Sequence, residues 1–587
     1  MLKSRFTHHA SRILLLLTLA FLASCSPNTI TGIVLDESGK PLPDAIVRAQ
    51  TTTHNTTTDE NGRFTLRASL EENAYITAWV PGYYIAGTES NPGDEIEIHL
   101  ETHTAEDNAD YEWLPSTYYP GEGEDQGCAQ CHSVKNAFSP EDMLSRIAPL
   151  PMLIGEPLAE GTTLPVDEWL LDAHSQSARN PRFLTMYTGQ DIHGNQSQPT
   201  RYVNSPDYGF FPLRPDPEKP YYGPGYKLDF PDTDGNCAAC HTPLAAIDNA
   251  YGIDPTTVTG IATEGISCDF CHKIWDVRLD PVSGLPLSNM PGVLAYTFRR
   301  PPDDHQLFIG PLDDVAPGED TYSPLQNQSQ FCAPCHFSAF WDTPIYNSFG
   351  EWLESPYSDP ERAKTAGLSS SKTCQDCHMP RLGNSHFVLP EAGGLERDPN
   401  TIFSHKMPGA ADTELLQNAL TMKVNADQTD DTIVVEVELV NDKTGHHIPT
   451  DSPLRHLILL VEVTDENGEK LTLLEGNTIP EWGGVGNSDK GYYAGLPGTA
   501  YAKILEEMWT EISPSGAYWN PTRILSDNRI PAMRSDTTTY VFQTSEVLKT
   551  SEVSVRLLFR RAFIELMEQK GWDDPDIVME SETIQLP

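Results

Sequence analysis

The chain has 587 residues, with 84 acidic side chains against 39 basic ones, for a formal charge of −45. That length allows several domains. The charge excludes nucleic acid and anionic lipid headgroups as natural partners and favours cationic partners or a salty exterior, while also keeping an exported protein soluble.

The N-terminus reads as an export signal. Lys3, Arg5 and Arg12 precede the apolar run ILLLLTLAFLA, which is too short for a comfortable membrane span. The run ends in LASC, Leu22 to Cys25, which resembles a bacterial lipobox. The resemblance implies removal of residues 1–24 and lipidation of Cys25. Ser26 after the cysteine resembles the outer-membrane sorting pattern, so the protein is expected to be exported and lipid-anchored to the outer membrane, on its periplasmic or cell-surface face.

Residues 25–103 carry strand and turn signals. ITGIVLDESGKPLPDAIVRAQ predicts two strands around a Glu-Ser-Gly turn, TTTDENGRFTLRA repeats the logic with Glu-Asn-Gly, and AYITAWVPGYY follows. The segment, TDENGRF above all, resembles the carboxypeptidase regulatory-like domain. The resemblance implies a small, non-catalytic β-sandwich that serves as a spacer or interaction module. His54 and His99 read as surface residues.

Residues 104–412 hold five copies of one pentapeptide: CAQCH, CAACH, CDFCH, CAPCH and CQDCH. Together they use ten of the eleven cysteines. Two thiols three apart can add to the vinyl groups of a haem, and the histidine that follows becomes the proximal iron ligand. The attachment residues are Cys128 and Cys131, Cys237 and Cys240, Cys268 and Cys271, Cys332 and Cys335, and Cys374 and Cys377. The proximal ligands are His132, His241, His272, His336 and His378. Zinc knuckles would need CxxC pairs converging on one ion and have no use for a histidine after every second cysteine. A disulfide framework would leave no thiols for haem. The expected cofactors are therefore five c-type haems and no other.

The same segment holds 34 of the 48 prolines. That density excludes long helices and predicts an irregular, proline-rich multihaem domain with few short helices, wrapped around porphyrins that supply the apolar core. VDEWLLDAHSQSAR (166–179) is expected as an amphipathic helix ending before Asn180-Pro181. SFGEWLESPYSDPERAKTAG is expected as helical turns interrupted by prolines. The acidic loops PLDDVAPGED and PDTDG are candidates for calcium or for plain exposure to water.

From 413 to 587 the pattern changes to period two. LTMKVNA, DTIVVEVELVN, HLILLVEVTD and TYVFQTS predict strands, and VSVRLLFRRAFIEL a strand running into a helix. The expectation is a C-terminal β-sandwich-like domain, which makes the whole chain multidomain and mainly β outside the haem segment.

Function turns on what lies opposite each iron. A haem with histidine on both faces only passes electrons, whereas an open face can bind a small molecule. The distal candidates are His174, His305, His386, His405 and His446, the last preferred to His447. The ordered series DAHSQSARNPRF, EGISCDFCH, QFCAPCH, EWLESPY, CQDCHMP, FSHKMPGA and TGHHIPT resembles a family of bacterial multihaem cytochromes c. These are similar in motif style to cytochromes of hydroxylamine oxidation and of extracellular electron transfer. The resemblance implies mostly bis-histidine haems, with His174, His405 and His446 at distal positions. His305 matches least well, which leaves room for one haem without a second histidine. The expected function is electron carriage at the cell envelope or surface, with redox proteins as partners, the membrane reached through the lipid anchor, and self-assembly possible in principle. The alternative is an oxidoreductase of a small nitrogen or sulfur compound with one open haem.

Overall fold

Two units make up the chain, seen in a computed structural model that describes residues 29–68, 70, 72–117, 127–134, 158, 161–207, 209–429, 431–544 and 550–587. The export signal and Cys25 lie outside the described residues.

In the N-terminal unit, alternation sets the sandwich. Phe64 and Leu66 point inward from Arg63–Arg67, as do Ile30 and Val34 from Thr29–Asp36. One sheet has the order Arg63–Arg67, Thr29–Asp36, Glu95–Leu100. The other runs Asn55–Thr57, Ile46–Ala49, Ala74–Trp79, Ala86–Ser90. Between them lies a core of Ile30, Val34, Val47, Phe64, Leu66, Ile76, Ile98 and Leu100. The turns are closed by aspartates: Asp36 accepts from the amides of Ser38 and Lys40, and Asp59 from those of Asn61 and Arg63, each at 2.9 Å. His54 and His99 are exposed.

This unit also takes in 298–326 and 395–398, which the sequence pattern assigns to the haem segment. Trp79 and Ile85 pack on Ala316, Val315 and Tyr322, and polar contacts add to this. Arg48 Nε pairs with Asp313 at 2.6 Å, and Arg397 Nη1 with Asp314 at 2.7 Å. The Thr51 amide donates to Asp314 at 2.7 Å and the Trp79 indole to Thr321 Oγ1 at 2.9 Å. Asp313 and Asp314 of PLDDVAPGED thus meet arginines.

The second unit comprises 112–297, 327–394 and 399–587. Its C-terminal part is a sandwich of two sheets. One has the order Thr421–Gln428, Thr432–Val440, Ser535–Gln543, Leu473–Glu475. The other runs Thr522–Asp527, Gly498–Glu507, His456–Asp465, Ser551–Arg560, Ile577–Leu586. Ile433, Val435, Val437, Leu439, Leu457, Leu459, Val461, Val553, Val555 and Leu557 fill the space between them. The strand Ser551–Arg560 does run into a helix, Ile564–Lys570.

The expected boundary at 412 does not separate two bodies. Lys570, fully buried, donates from Nζ to the carbonyls of Thr185 (2.9 Å), Gln190 (3.1 Å) and Pro224 (2.6 Å). Lys503 does the same to Pro344 and Ile345, at 3.1 and 2.6 Å. The Trp519 indole donates to Asp229 at 2.7 Å, and Met186 packs among Phe563, Leu566 and Trp572. Among the described residues, no helix is long and apolar enough to cross a membrane.

The segment expected as one helix over 166–179 is helical only at Pro165–Trp169. From Glu168 onward the backbone bonds run i to i+3, as from the Asp172 amide to the Trp169 carbonyl and from Ser177 to His174, so the chain tightens into successive turns. Asn180-Pro181 then begins a second helix, Pro181–Thr188, with the Asn180 side chain capping the Arg182 amide at 3.0 Å. The expected helical turns around Trp352 are Ser348–Glu354 and Pro360–Thr365.

Candidate functional site

Each of the five pentapeptides forms a single helical turn: Ala129–His132, Ala238–His241, Cys268–Cys271, Ala333–His336 and Cys374–His378. In the first four the histidine amide bonds back to the carbonyl of the first cysteine, at 3.0, 3.1, 3.0 and 3.1 Å in chain order. One turn brings positions i, i+3 and i+4 to one face, so two thiols and an imidazole share a side. That is the arrangement a vinyl-linked porphyrin with a proximal histidine needs.

Three of these histidines face a second histidine. Ring centroids are 6.1 Å apart for His336 and His174, 6.5 Å for His272 and His405, and 6.3 Å for His378 and His446. Direct ring contact is much closer: Phe183 stacks on His241 at 3.8 Å. An imidazole nitrogen sits about 2 Å from a bound metal, which puts the ring centroid about 3 Å from it and two coaxial rings about 6 Å apart. The three gaps therefore match one metal ion between two axial imidazoles. The ring planes cross at 71° in the His336 pair and lie at 27° and 19° in the other two.

The other ring nitrogens support this orientation. Nδ1 of His132 donates to the Phe387 carbonyl at 2.7 Å, that of His378 to Pro408 at 2.8 Å, and that of His446 to His447 at 2.9 Å. Nδ1 of His174 donates to Asp172 Oδ2 at 2.7 Å. Each bond makes Nδ1 the donor, so that in the neutral imidazole Nε2 carries the lone pair a metal ligand needs. Burial pushes His241 and His378 down to about 4 and His405 to about 3, so these rings are neutral at neutral pH.

Among the described residues, no second histidine faces His132 or His241. Against His132 lies the ring of Phe387, parallel at 6.3 Å. Near His241 are Asp451, ion-paired with Arg455 at 3.3 Å, and the tyrosines Tyr346 and Tyr518, whose rings meet edge to face at 5.6 Å. Burial pushes Tyr518 up to about 12, so its phenol remains a proton donor.

The remaining distal candidates have other company. His386 lies beside Ser385 Oγ at 3.0 Å, in a loop whose Leu389 amide donates to the Cys131 carbonyl. His305 belongs to the N-terminal unit and pairs with Glu319 at 2.8 Å. His447, the less preferred neighbour of His446, lies 3.7 Å from Glu351; outside the candidate set, His456 is fully buried in the sandwich against Phe563.

Thiols of different motifs are neighbours: Cys128 and Cys268, Cys240 and Cys335, and Cys332 and Cys374 lie near enough to perturb each other's ionisation. The fourth motif thus lies between the second and the fifth, and the first lies against the third. Gly265 makes part of this closeness possible: at φ +72° it packs on the turn of His174, where a Cβ would fall 2.3 Å from Ser177 Oγ and 2.6 Å from the His174 carbonyl. Among the described residues, no group of three or more His, Cys, Asp or Glu gathers around a single point, so a zinc donor set is not assembled.

Sequence pattern alone misses the buried carboxylates that hold these histidines. In DEWLLD, Asp167 accepts from Ser133 Oγ (2.6 Å) and the Val134 amide (2.9 Å), behind the first motif. Glu168 accepts from Ser404 Oγ (2.9 Å) and the His405 amide (2.7 Å), and Asp172 carries His174. In EWLESPY, Glu351 accepts from the His447 amide (3.2 Å) and pairs with Arg529 (2.7 Å), tying down the TGHHIPT loop. The signal available was acidic residues at the positions where an amphipathic helix places its core face.

Residues 29–100 match the carboxypeptidase regulatory-like domain. Among solved structures, the chain is similar to a penta-heme cytochrome c552 from Thermochromatium tepidum, at 17% identity over 71% of this chain and 95% of that one, with a TM-score of 0.47. Smaller likenesses include a 3-chlorocatechol 1,2-dioxygenase from Rhodococcus opacus 1CP (18% identity, 13% of this chain and 60% of that one, TM-score 0.11). Another is a type II cohesin-X-dockerin complex from Acetivibrio cellulolyticus (15% identity, 13% and 58%, TM-score 0.12). No curated protein matches the chain.

Proposed function

We propose that this chain is a pentahaem c-type cytochrome that carries electrons at the cell envelope. The observation that carries the reading is the spacing of three CxxCH histidines from a second histidine by 6.1, 6.5 and 6.3 Å, in each case room for one metal ion. The ten motif cysteines would hold the porphyrins. His336 with His174, His272 with His405, and His378 with His446 would close both faces of three irons, and His132 and His241 would each take one face of the other two. Haem, when bound, supplies a one-electron iron couple. The protein's part is to hold the imidazoles neutral and fixed, and to bring neighbouring motifs into contact so that electrons pass between adjacent haems. Lipidation at Cys25 would tether the protein to the outer membrane, facing redox partner proteins.

A second reading, a small-molecule oxidoreductase, has one observation in its favour. His241 faces no second histidine and has Tyr346, Tyr518, Asp451 and Arg455 in its neighbourhood, a group that could bind and protonate a small nitrogen or sulfur compound.

Pyridine haemochrome analysis and electron paramagnetic resonance of the oxidised protein test both. Five haems per chain, with at least three low-spin irons, is the result expected. Fewer than three low-spin centres sinks the electron-carrier reading as drawn. A stoichiometric high-spin iron that shifts with cyanide or nitrite moves the weight to the second.

A further inference from the structure

The three histidine pairs differ in what stands behind the distal ring, and this difference bears on how electrons move. His446 donates from Nδ1 to a backbone carbonyl, that of His447, at 2.9 Å. His405 has a buried Nδ1 with no hydrogen-bond partner among the described residues. His174 alone donates to a carboxylate, Asp172 Oδ2, at 2.7 Å. Asp172 is 1% exposed in its side chain, and its second oxygen is buried without a hydrogen-bond partner among the described residues. Its charge is therefore directed at one imidazole and poorly screened.

From this geometry we infer that Asp172 is a tuning residue, which makes the haem on Cys332 and Cys335 the lowest-potential of the three bis-histidine centres; the inference rests on the electron-carrier reading above. A carboxylate on Nδ1 gives the imidazole anionic character and makes it a stronger donor to the metal. Ferric iron, with one more positive charge than ferrous, gains more from that donor. Transfer of one electron from a neighbouring ferrous haem oxidises that haem and reduces this iron, and the Asp172 side chain opposes the reduction. A carbonyl behind His446 does this more weakly, and His405 lacks even that.

The position of this centre gives the tuning a consequence. Cys335 neighbours Cys240, Cys332 neighbours Cys374, and Cys271 of the third motif is near both, so the fourth motif lies among the second, third and fifth. A low-potential centre there is a point that electrons cross without resting, which keeps the branch oxidised while its neighbours hold charge. Asp172 thereby acts as a valve on traffic between the His241 and His378 haems.

The experiment uses the full-length, haem-loaded chain as wild type, Asp172→Asn and Asp172→Glu. Haem count comes first: fewer than five haems in the wild type is a failure of the cytochrome reading rather than of the tuning. Each is then titrated redox-potentiometrically, with paramagnetic resonance detection. The His174–His336 pair is recognisable because its planes cross at 71°, which leaves the iron dπ orbitals nearly degenerate and gives a strongly anisotropic low-spin signal; the pairs at 27° and 19° give rhombic ones. In Asp172→Asn that anisotropic centre is expected to rise in midpoint while the rhombic centres hold theirs. Asp172→Glu is expected to restore most of the shift. An unchanged midpoint, or a shift confined to a rhombic centre, overturns the inference. So does conversion of the anisotropic signal to high spin in both variants, because Asp172 would then serve only to hold the ligand in place.

Discussion

The C-terminal sandwich and the segment that carries the CxxCH motifs share one unit but are stabilised in opposite ways. The sandwich fills itself: Leu457, Leu459, Val461, Val555 and Leu557 are fully or almost fully buried against one another between two sheets. Among its described residues the motif segment has small apolar clusters, such as Ala333 with Phe349 and Trp352. Its fixed points are buried polar groups: Asp167, Glu168, Asp172, Glu264, Asp269 and Glu351, each accepting hydrogen bonds from loop amides or side chains. On the cytochrome reading the centre of this region is left to cofactors, and its loops are located by hydrogen bonds because there is little side-chain volume with which to do so.

Removing the cofactor from one motif breaks the comparison most severely. Cys332→Ser with Cys335→Ser is expected to reduce the haem count by about one fifth and to lower the melting temperature of the motif segment. Because these cysteines neighbour both Cys240 and Cys374, electron transfer across the molecule should fall by more than one part in five, as followed by stopped-flow reduction. A loss merely proportional to haem count would show that the fourth motif is not the junction.

In the sandwich the comparable injury is a cavity. Leu459→Ala removes a side chain with no exposure, and destabilisation of about 2–5 kcal/mol is expected by chemical denaturation, with the haem spectrum intact. A smaller effect falls on the polar side of the comparison. Glu168→Gln replaces oxygens that accept from Ser404, His405, Thr163 and Asn384 with a group that can accept through only one of its two ends. The expected loss is about 1–3 kcal/mol. It should be accompanied by broadening of one rhombic low-spin signal, that of the His272–His405 pair. An unchanged spectrum would mean that His405 is held by the apolar packing of its neighbours instead.

These contrasts also mark what could be read from sequence. Period-two alternation in DTIVVEVELVN and HLILLVEVTD gives the sandwich strands directly, because a half-buried strand must alternate. The five pentapeptides are equally legible, since each repeats one spacing of two cysteines and a histidine, the one that thioether attachment of haem would need. His174, His405 and His446 could be proposed as distal partners, but which motif each would serve depends on long-range folding: His174 meets His336 and His405 returns to His272 across more than a hundred residues, and His446 reaches His378 from the entry to the sandwich. The helix expected over 166–179 shortens to Pro165–Trp169 because its acidic residues turn inward to hold other loops, an outcome that amphipathic periodicity cannot register. Recruitment of 298–326 by the N-terminal unit was hidden for a related reason. It depends on Arg48 finding Asp313 and on Trp79 finding Ala316 and Tyr322, and neither long-range contact has a sequence period.

His456 sharpens the comparison at its quietest point, because it is a histidine of the sandwich without a cofactor to justify it. The ring is fully buried, stacks on Phe563 at 4.8 Å, and bonds through Nδ1 to the Leu454 carbonyl at 3.1 Å. Burial, with Arg560 nearby, pushes its pKa from 6.5 down to about 3. Between those values the unfolded chain binds a proton that the folded chain does not, so stability rises with pH across the window and is lost as pH falls from 6.5 towards 3. Inside the window the slope from this group is about 1.4 kcal/mol per pH unit. His456→Phe keeps an aromatic ring against Phe563 and should change stability by less than about 1.5 kcal/mol at neutral pH. The difference between variant and wild type should then grow in favour of the variant as the buffer is taken from pH 6 to pH 4, because the haem-segment histidines titrate alike in both and cancel. Parallel acid-unfolding curves would show that His456 is protonated within the folded sandwich, and that this core tolerates a buried charge as the motif segment does.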